Sequence, residues 1–188
     1  MRLFIAFDID DPIIWERVSL IQGMIERNGV KGTKPDRGHL HVTLKFLGEV
    51  IDHKVRLIRE SLKGINLKAF YITLGGVGAF PDFRRPRVII IEIEPNDKLL
   101  DLHREIEKRM VKLGINPDKR PYTPHLTIYR VKKYWTWSRR LIEELSAIRM
   151  DISFRVDSFK LKESILTPEG PIYKDIETYH LKNGREHG

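Results

Sequence analysis

Two short stretches of the sequence repeat one pattern of side chains. Residues 41–48 read HVTLKFLG and residues 125–130 read HLTIYR, so each has histidine, an apolar residue, threonine and a second apolar residue. Alternate side chains of a β-strand point to opposite faces, so His41 shares a face with Thr43, and His125 with Thr127. The pattern predicts two strands that each present a histidine and a threonine on the face opposite their apolar side chains.

Two imidazoles that face one another are suited to general acid–base chemistry, because histidine gains and loses a proton near neutral pH. One imidazole takes a proton from an attacking oxygen, and the other gives a proton to a leaving oxygen. The hydroxyls of Thr43 and Thr127 can donate hydrogen bonds to phosphate oxygens that gain negative charge. Such an in-line displacement at phosphorus needs no metal, and we expect no cofactor.

Composition excludes several other kinds of site. The chain has 188 residues, 41% of them hydrophobic, and no cysteine, so disulfides, thiolate nucleophiles and zinc–thiolate sites are excluded. The formal net charge of +8 fits an anionic partner such as RNA. The apolar run at residues 1–7 is too short for a signal peptide or a membrane span, so we expect a cytoplasmic protein. Charged residues make up 32% of the chain and asparagine plus glutamine number only six, a balance typical of thermophiles.

Periodicity predicts the elements that position the two motifs. Strands are expected near residues 2–9, 39–47, 69–77, 87–94, 124–131, 152–166 and 171–181. Helices are expected at residues 12–28, 53–63, 97–113 and 138–148.

The order β-α-β-α-β occurs twice, and a shift of 84 residues, the distance from His41 to His125, superimposes the two copies. We therefore predict an α+β fold with two pseudo-symmetric lobes from an internal duplication. Antiparallel sheets should line a central cleft, with the helices outside. The chain would form a single two-lobed catalytic domain, residues 1–188, with repeat 1 at about 1–84 and repeat 2 at about 85–188.

Both motifs, the opening strand RLFIAFD and the closing stretch at residues 159–173 resemble the 2H phosphoesterases, specifically the 2'-5' RNA ligase-like RNA 2',3'-cyclic phosphodiesterases. The resemblance covers nearly the whole chain. It implies hydrolysis of an RNA 2',3'-cyclic phosphate end to a 2'-phosphomonoester, with reversible 2'-5' RNA ligation as a second activity. It implies His125 as the base and His41 as the acid. The expected partner is RNA with a cyclic phosphate end, with tRNA halves as one candidate, and the protein is expected to be a monomer without an obligate protein partner.

The two motifs differ five residues past each histidine, where Phe46 in one copy corresponds to Arg130 in the other. Both residues match the resembled family. An aromatic ring can stack on the terminal base, and a guanidinium can pair with phosphate. A regular strand would turn both away from the histidine face, so these roles require a bulge or a strand end. Core packing of Phe46 and a surface ion pair for Arg130 are the alternatives.

Three other functions compete with this prediction. His39 and His41 would share one strand face, where they form a candidate metal pair of a metallohydrolase that a chelator would inactivate. A non-catalytic RNA-binding module would keep a salt-sensitive affinity for RNA without turnover. A 2H enzyme for small cyclic nucleotides would use the same catalytic residues on mononucleotides.

Overall fold

The computed structural model of the protein describes residues 1–133 and 137–183. Within these ranges the chain forms four α-helices, nine β-strands and a short 3-10 helix, Arg37–His39. The helices are α1 (Pro12–Arg27), α2 (Asp52–Lys63), α3 (Asp97–Lys112) and α4 (Arg139–Ser146). The strands are β1 (Arg2–Asp8), β2 (Gly32–Thr33), β3 (His41–Glu49), β4 (Phe70–Phe80), β5 (Val88–Ile93), β6 (His125–Val131), β7 (Arg149–Val156), β8 (Ser158–Thr167) and β9 (Gly170–His180).

The two long helices α1 and α3 begin at polar caps. The Asp11 side chain accepts hydrogen bonds from the N–H groups of Ile13 and Ile14, both at 2.9 Å. At the start of α3, the Asn96 side chain accepts one from the N–H of Leu99 at 3.0 Å. Both helices therefore start where the sequence predicts. No helix in the described part of the chain is long and apolar enough to cross a membrane.

The strands form one antiparallel sheet in the order β7-β4-β5-β6-β3-β1-β8-β9, with β2 added to β6. Its two halves join where β3 meets β6, through the pair Val42 and Leu126. These residues are 84 apart, so each is the other's counterpart in the duplication. Antiparallel pairing between counterparts is the arrangement that a local two-fold axis requires. The predicted α+β architecture with antiparallel strands is confirmed.

The strand predicted at residues 152–166 is wrong, because two strands occupy that range. β7 pairs with β4, whereas β8 pairs with β1, so they lie in opposite halves of the sheet. Asp157 separates them, and its carbonyl accepts a hydrogen bond from the N–H of Leu181 at 2.8 Å. The β-rich composition runs through this break, so local pattern alone does not reveal it.

The helices cross between the two halves of the duplication. α1 packs against β6 and α3 packs against β3, so each motif strand is backed by the helix of the other repeat. Each helix presents one apolar stripe at three- and four-residue spacing. The buried residues of these stripes are Ile14, Val18, Ile21 and Ile25 in α1, and Leu99, Leu102, Ile106 and Met110 in α3. Each motif strand is therefore supported by both repeats.

Candidate active site

A β-bulge interrupts each motif strand at the same position. In β3, Thr43 pairs with Ala6 and Lys45 pairs with Ile5, so Leu44 is the extra residue. In β6, Thr127 pairs with Ile90 and Tyr129 pairs with Ile89, so Ile128 is the extra residue. A bulge shifts the alternation of side chains by one residue. Phe46 and Arg130 therefore join the face of the histidines, as their predicted roles require.

Side chains from the backing helices bind the carbonyl groups of both bulge residues. His103 of α3 hydrogen-bonds through its Nδ1 to the carbonyl of Leu44 at 3.0 Å. Gln22 of α1 donates through its Nε2 to the carbonyl of Ile128, also at 3.0 Å. A buried carbonyl without a donor is costly, so these contacts stabilise the bulges.

The two motif histidines are oriented in the same way. Nδ1 of His41 bonds to the carbonyl of His39 at 2.9 Å, and Nδ1 of His125 bonds to the carbonyl of Thr123 at 2.8 Å. A carbonyl oxygen only accepts hydrogen bonds, so each Nδ1 carries the hydrogen. In the neutral imidazole Nε2 then has the lone pair, and it is the nitrogen left to exchange a proton with a ligand.

Each histidine lies beside the threonine of the other motif. Because Val42 pairs with Leu126 in antiparallel register, the position of His41 faces that of Thr127, and the position of Thr43 faces that of His125. The structure thus brings the four predicted residues together at the junction of β3 and β6. All four side chains are partly buried.

A cavity of about 290 Å³ opens beside His41, Thr127 and Arg130. Its other walls come from the segment before His41, from Glu169 in the turn between β8 and β9, and from the start of β9, including Tyr173. Phe46 lies at the opposite end of the cleft and lines a separate groove. Arg130 and Phe46 therefore flank the histidines from two sides.

Burial and nearby cations lower the pKa of both histidines. Desolvation lowers the pKa of His41 to about 4, and Lys162 and Arg130 push it in the same direction, whereas a backbone hydrogen bond and Asp8 oppose the change. Desolvation also lowers the pKa of His125, and Arg130 adds to the effect. Both imidazoles are consequently neutral near pH 7 in the free protein.

His41 has close neighbours that the sequence does not single out. Its ring lies 5.2 Å from that of Tyr173 and 5.4 Å from that of Phe4, measured between centroids. Lys162, almost fully buried, holds Asp8 at 2.7 Å, and Asp8 pairs across the sheet with His41. The signal for Lys162 is weak, since a lysine on a strand is usually solvated.

Two structural alternatives, core packing of Phe46 and a surface ion pair of Arg130, are absent from the part of the chain that the structure describes. Phe46 is 70% exposed, so it is not a core residue, although its ring centroid lies 6.2 Å from that of Phe4. Arg130 is exposed and has no carboxylate partner among the residues that the structure describes. Both side chains are therefore available to a ligand.

His39 does not share a strand face with His41, and that prediction is wrong. The strand begins at His41, whereas His39 belongs to the 3-10 helix, where its Nδ1 pairs with the carboxylate of Asp36. The Asp36 side chain also accepts a hydrogen bond from the N–H of Gly38, and this local turn keeps the backbone out of the sheet.

Potential metal ligands do gather on the far side of β3. His103, Glu107 and Asp118 bring ligand atoms within 4.8 Å of one another. The ammonium of Lys45 lies among them, 2.7 Å from the Glu107 carboxylate and 3.0 Å from that of Asp118. Lys45 therefore supplies the positive charge in this cluster, which supports β3 from behind.

Two histidines, each with a threonine two residues later, on bulged strands that meet at a pseudo-two-fold axis, define the 2H phosphoesterase class. Residues 11–164 match the family model described as the 2'-5' RNA ligase superfamily, and the chain belongs to this family.

Relatives from two archaea carry the name RNA 2',3'-cyclic phosphodiesterase. The protein of Archaeoglobus fulgidus is 37% identical over 95% of this chain and 99% of its own length. That of Methanothermobacter thermautotrophicus is 38% identical over 96% of this chain and 99% of its own length. The match to each therefore extends over nearly all of both chains.

Solved structures share the fold at lower sequence identity. The protein TT0787 of Thermus thermophilus has a TM-score of 0.85 at 23% identity, covering 98% of this chain and 100% of that one. E. coli LigT complexed with 3'-AMP has a TM-score of 0.75 at 24% identity, covering 96% and 97% of the two chains. The fold of the family extends over the whole described molecule.

Proposed function

We propose that the protein hydrolyses RNA 2',3'-cyclic phosphate ends to 2'-phosphomonoesters, with His41 and His125 as general acid and base. The observation that carries this proposal is the matched orientation of the two imidazoles, each holding Nδ1 on a carbonyl and leaving Nε2 for the ligand. The names of the relatives support the same substrate.

The reaction needs one proton removed and one proton supplied. His125 takes a proton from water, and the water oxygen forms a bond to phosphorus as the bond from phosphorus to the 3'-oxygen breaks. His41 gives its proton to the leaving 3'-oxygen. The products are a 2'-phosphomonoester and a 3'-hydroxyl, and a proton exchange with solvent restores both imidazoles.

The low pKa of His41 makes its protonation depend on the substrate. The cyclic phosphate carries a negative charge, and an anion beside an imidazole favours the protonated form. One imidazole then acquires its proton in the complex, and we assign this role to His41, with His125 as the base. The division of roles is the one that the family resemblance implies.

A sulfur-substituted substrate tests this division. With sulfur in place of the leaving 3'-oxygen, the leaving group departs without a proton. The loss caused by His41→Ala should then shrink, whereas the loss caused by His125→Ala should persist. The opposite pattern would mean that His125 is the acid and His41 is the base.

The other predicted site residues act on the phosphate and the base. Thr43 and Thr127 each donate a hydrogen bond to one of the two non-bridging oxygens. Thr43 does so from beside His125, and Thr127 from beside His41. Arg130 pairs with the phosphate, and its exposed guanidinium lines the cavity beside His41. Phe46 stacks on the terminal base.

A 2'-5' ligation uses the same site and runs in the same direction as hydrolysis, with a 5'-hydroxyl in place of water: its oxygen bonds to phosphorus as the bond to the 3'-oxygen breaks. Cleavage of the 2'-5' diester back to the cyclic phosphate is the reverse reaction. Hydrolysis dominates because water is abundant, whereas a 5'-hydroxyl must be positioned. Processing of tRNA halves, a monomeric state and a cytoplasmic location stay predictions.

The test is release of a 2'-phosphomonoester from an RNA oligomer that ends in a 2',3'-cyclic phosphate, monitored by mass spectrometry in the presence of EDTA. We expect turnover that the chelator does not change. Activity lost to EDTA would instead indicate a metallohydrolase. Salt-sensitive binding without turnover would indicate an RNA-binding module. Turnover of mononucleotides with no preference for the oligomer would indicate an enzyme for small cyclic nucleotides.

A further inference from the structure

A second concave surface continues the cleft beyond Phe46. We call it the Phe46 groove; it has a volume of about 560 Å³. Its lining comes from the end of β3, the start of α2 and the loop after α3, comprising residues 46–51, Lys54 and residues 114–119. None of the predicted catalytic or phosphate-binding residues lines it.

Cations outnumber carboxylates at the groove. Glu49 lies 3.7 Å from the amino group of Met1, and Asp118 shares the ammonium of Lys45, at 3.0 Å, with Glu107. Lys54 and Lys119 have no carboxylate partner in residues 1–133 and 137–183. Anionic ligands are therefore favoured there.

The groove also exposes apolar surface beside these lysines. Phe46 and Ile51, which both line the groove, are each 70% exposed. Large exposed apolar side chains next to unpaired lysines are the combination on which single-stranded nucleic acids bind, with bases on the apolar faces and phosphates on the cations.

The position of the groove fits one segment of the substrate. Because of the bulge at Leu44, Thr43 and Phe46 pair with residues of β1 that are only two apart. A strand rises about 3.3 Å per residue, so Phe46 lies about 7 Å along the sheet from Thr43. A terminal nucleotide with its phosphate at the histidines and its base on Phe46 ends where the groove begins. In an RNA chain, the next nucleotide on the 5' side would occupy the groove.

We propose that the Phe46 groove binds the RNA nucleotide immediately 5' of the cyclic-phosphate end, with Lys54 and Lys119 on its phosphate and Ile51 against its base. This inference rests on the proposed function. It identifies an RNA end, in preference to a free cyclic mononucleotide, as the substrate that makes all the contacts the protein offers.

The experiment compares a mononucleotide 2',3'-cyclic phosphate with a trinucleotide that ends in the same group. In the wild type, kcat/KM should be higher for the trinucleotide. In the double variant Lys54→Gln/Lys119→Gln, the loss for the trinucleotide should exceed the loss for the mononucleotide by about tenfold, and the salt dependence should fall by about two counterions. The matched control Lys98→Gln/Lys108→Gln removes two exposed lysines at α3 and should leave kcat/KM unchanged for both substrates.

Equal losses for both substrates, or no preference for the trinucleotide in the wild type, would overturn the proposal. If the wild type turns over neither substrate, the proposed function fails, and the groove is then judged by binding alone. Fluorescence anisotropy with trinucleotide and mononucleotide 2'-phosphates should show tighter binding of the trinucleotide, lost in Lys54→Gln/Lys119→Gln. Equal affinities for the trinucleotide and the mononucleotide would mean that the groove does not bind RNA.

Discussion

The loops that lead to the two histidines occupy equivalent places and are held by different chemistry. Neutral groups make the buried contacts of the loop before His41, residues 30–40, whereas its ion pair to α1, between Lys34 and Glu26 at 3.0 Å, is half-exposed. β2 pairs with the end of β6, and the side-chain amide of Gln22 donates to the carbonyl of Pro35 at 3.0 Å. Charge holds the loop before His125, residues 114–124. Lys45, whose side chain is fully buried, donates to Asp118 at 3.0 Å and to the carbonyl of Asn116 at 3.2 Å.

Contacts of Tyr122 also tie the second loop to the first motif. Tyr122 donates to the carbonyl of Thr43 at 2.9 Å, and its ring stacks on His103 at 4.0 Å between centroids. Thr123, the next residue, supplies the carbonyl that orients His125. The duplication has therefore kept one geometry with two kinds of attachment, and the ionic one is more sensitive to loss of a partner, because it leaves charges unpaired.

The largest effect should come from Lys45→Met, which keeps the length of the side chain and removes its charge. Glu107 and Asp118 then lose their shared cation, and we expect a loss of about 3 kcal/mol in the free energy of unfolding, since Asp118 is partly hydrated. Urea unfolding measures this change. Lys98→Met, at an exposed position of α3, is the control and should stay within about 0.5 kcal/mol of the wild type. A loss no larger than that of the control would mean that the ionic attachment does not hold the loop.

A smaller effect is expected for Gln22→Leu, the matching change in the other half. The carbonyls of Pro35 and Ile128 lose their donor, but no charge is left unpaired. We expect a loss of about 1–2 kcal/mol, measured in the same urea series. If Gln22→Leu cost more than Lys45→Met, the contrast between the neutral and ionic attachments would be wrong.

The sequence predicts the equivalence of the two halves but not the contacts that hold them. The repeated His–Thr spacing and the 84-residue shift can be read directly from the sequence, and they locate both motifs and their helices. Burial of Lys45 depends on Glu107 and Asp118, which reach it from another element, so no local pattern marks it. The division between β7 and β8 depends on which distant strand each one pairs with. Long-range partners decide these features, whereas periodicity reports only local preference.

The pH dependence of activity should reflect the pKa values of the two histidines. Catalysis needs one imidazole neutral and one protonated, so kcat/KM is highest between their two pKa values. The pKa of His41 is lowered from 6.5 to about 4, and that of His125 is also lowered. Below this interval both imidazoles are protonated and no base remains, and above it both are neutral and no acid remains.

We therefore expect the optimum of kcat/KM on the acidic side of pH 6.5, the ordinary pKa of histidine, measured on a cyclic-phosphate oligomer at constant ionic strength. Circular dichroism at each pH provides the control for folding. The structure indicates that desolvation lowers the pKa of both histidines in the free protein. An optimum above about pH 7.5 would contradict this.

The most direct test of the central claim is single-turnover cleavage of an RNA 2',3'-cyclic phosphate by His41→Ala, His125→Ala and the double variant, each at saturating protein. We predict that each single change lowers the rate by at least about 10²-fold. We also predict that the double variant is little slower than either single one, because the two histidines act as a unit. A near-wild-type rate in either single variant, with the fold intact by circular dichroism, would contradict catalysis by the histidine pair.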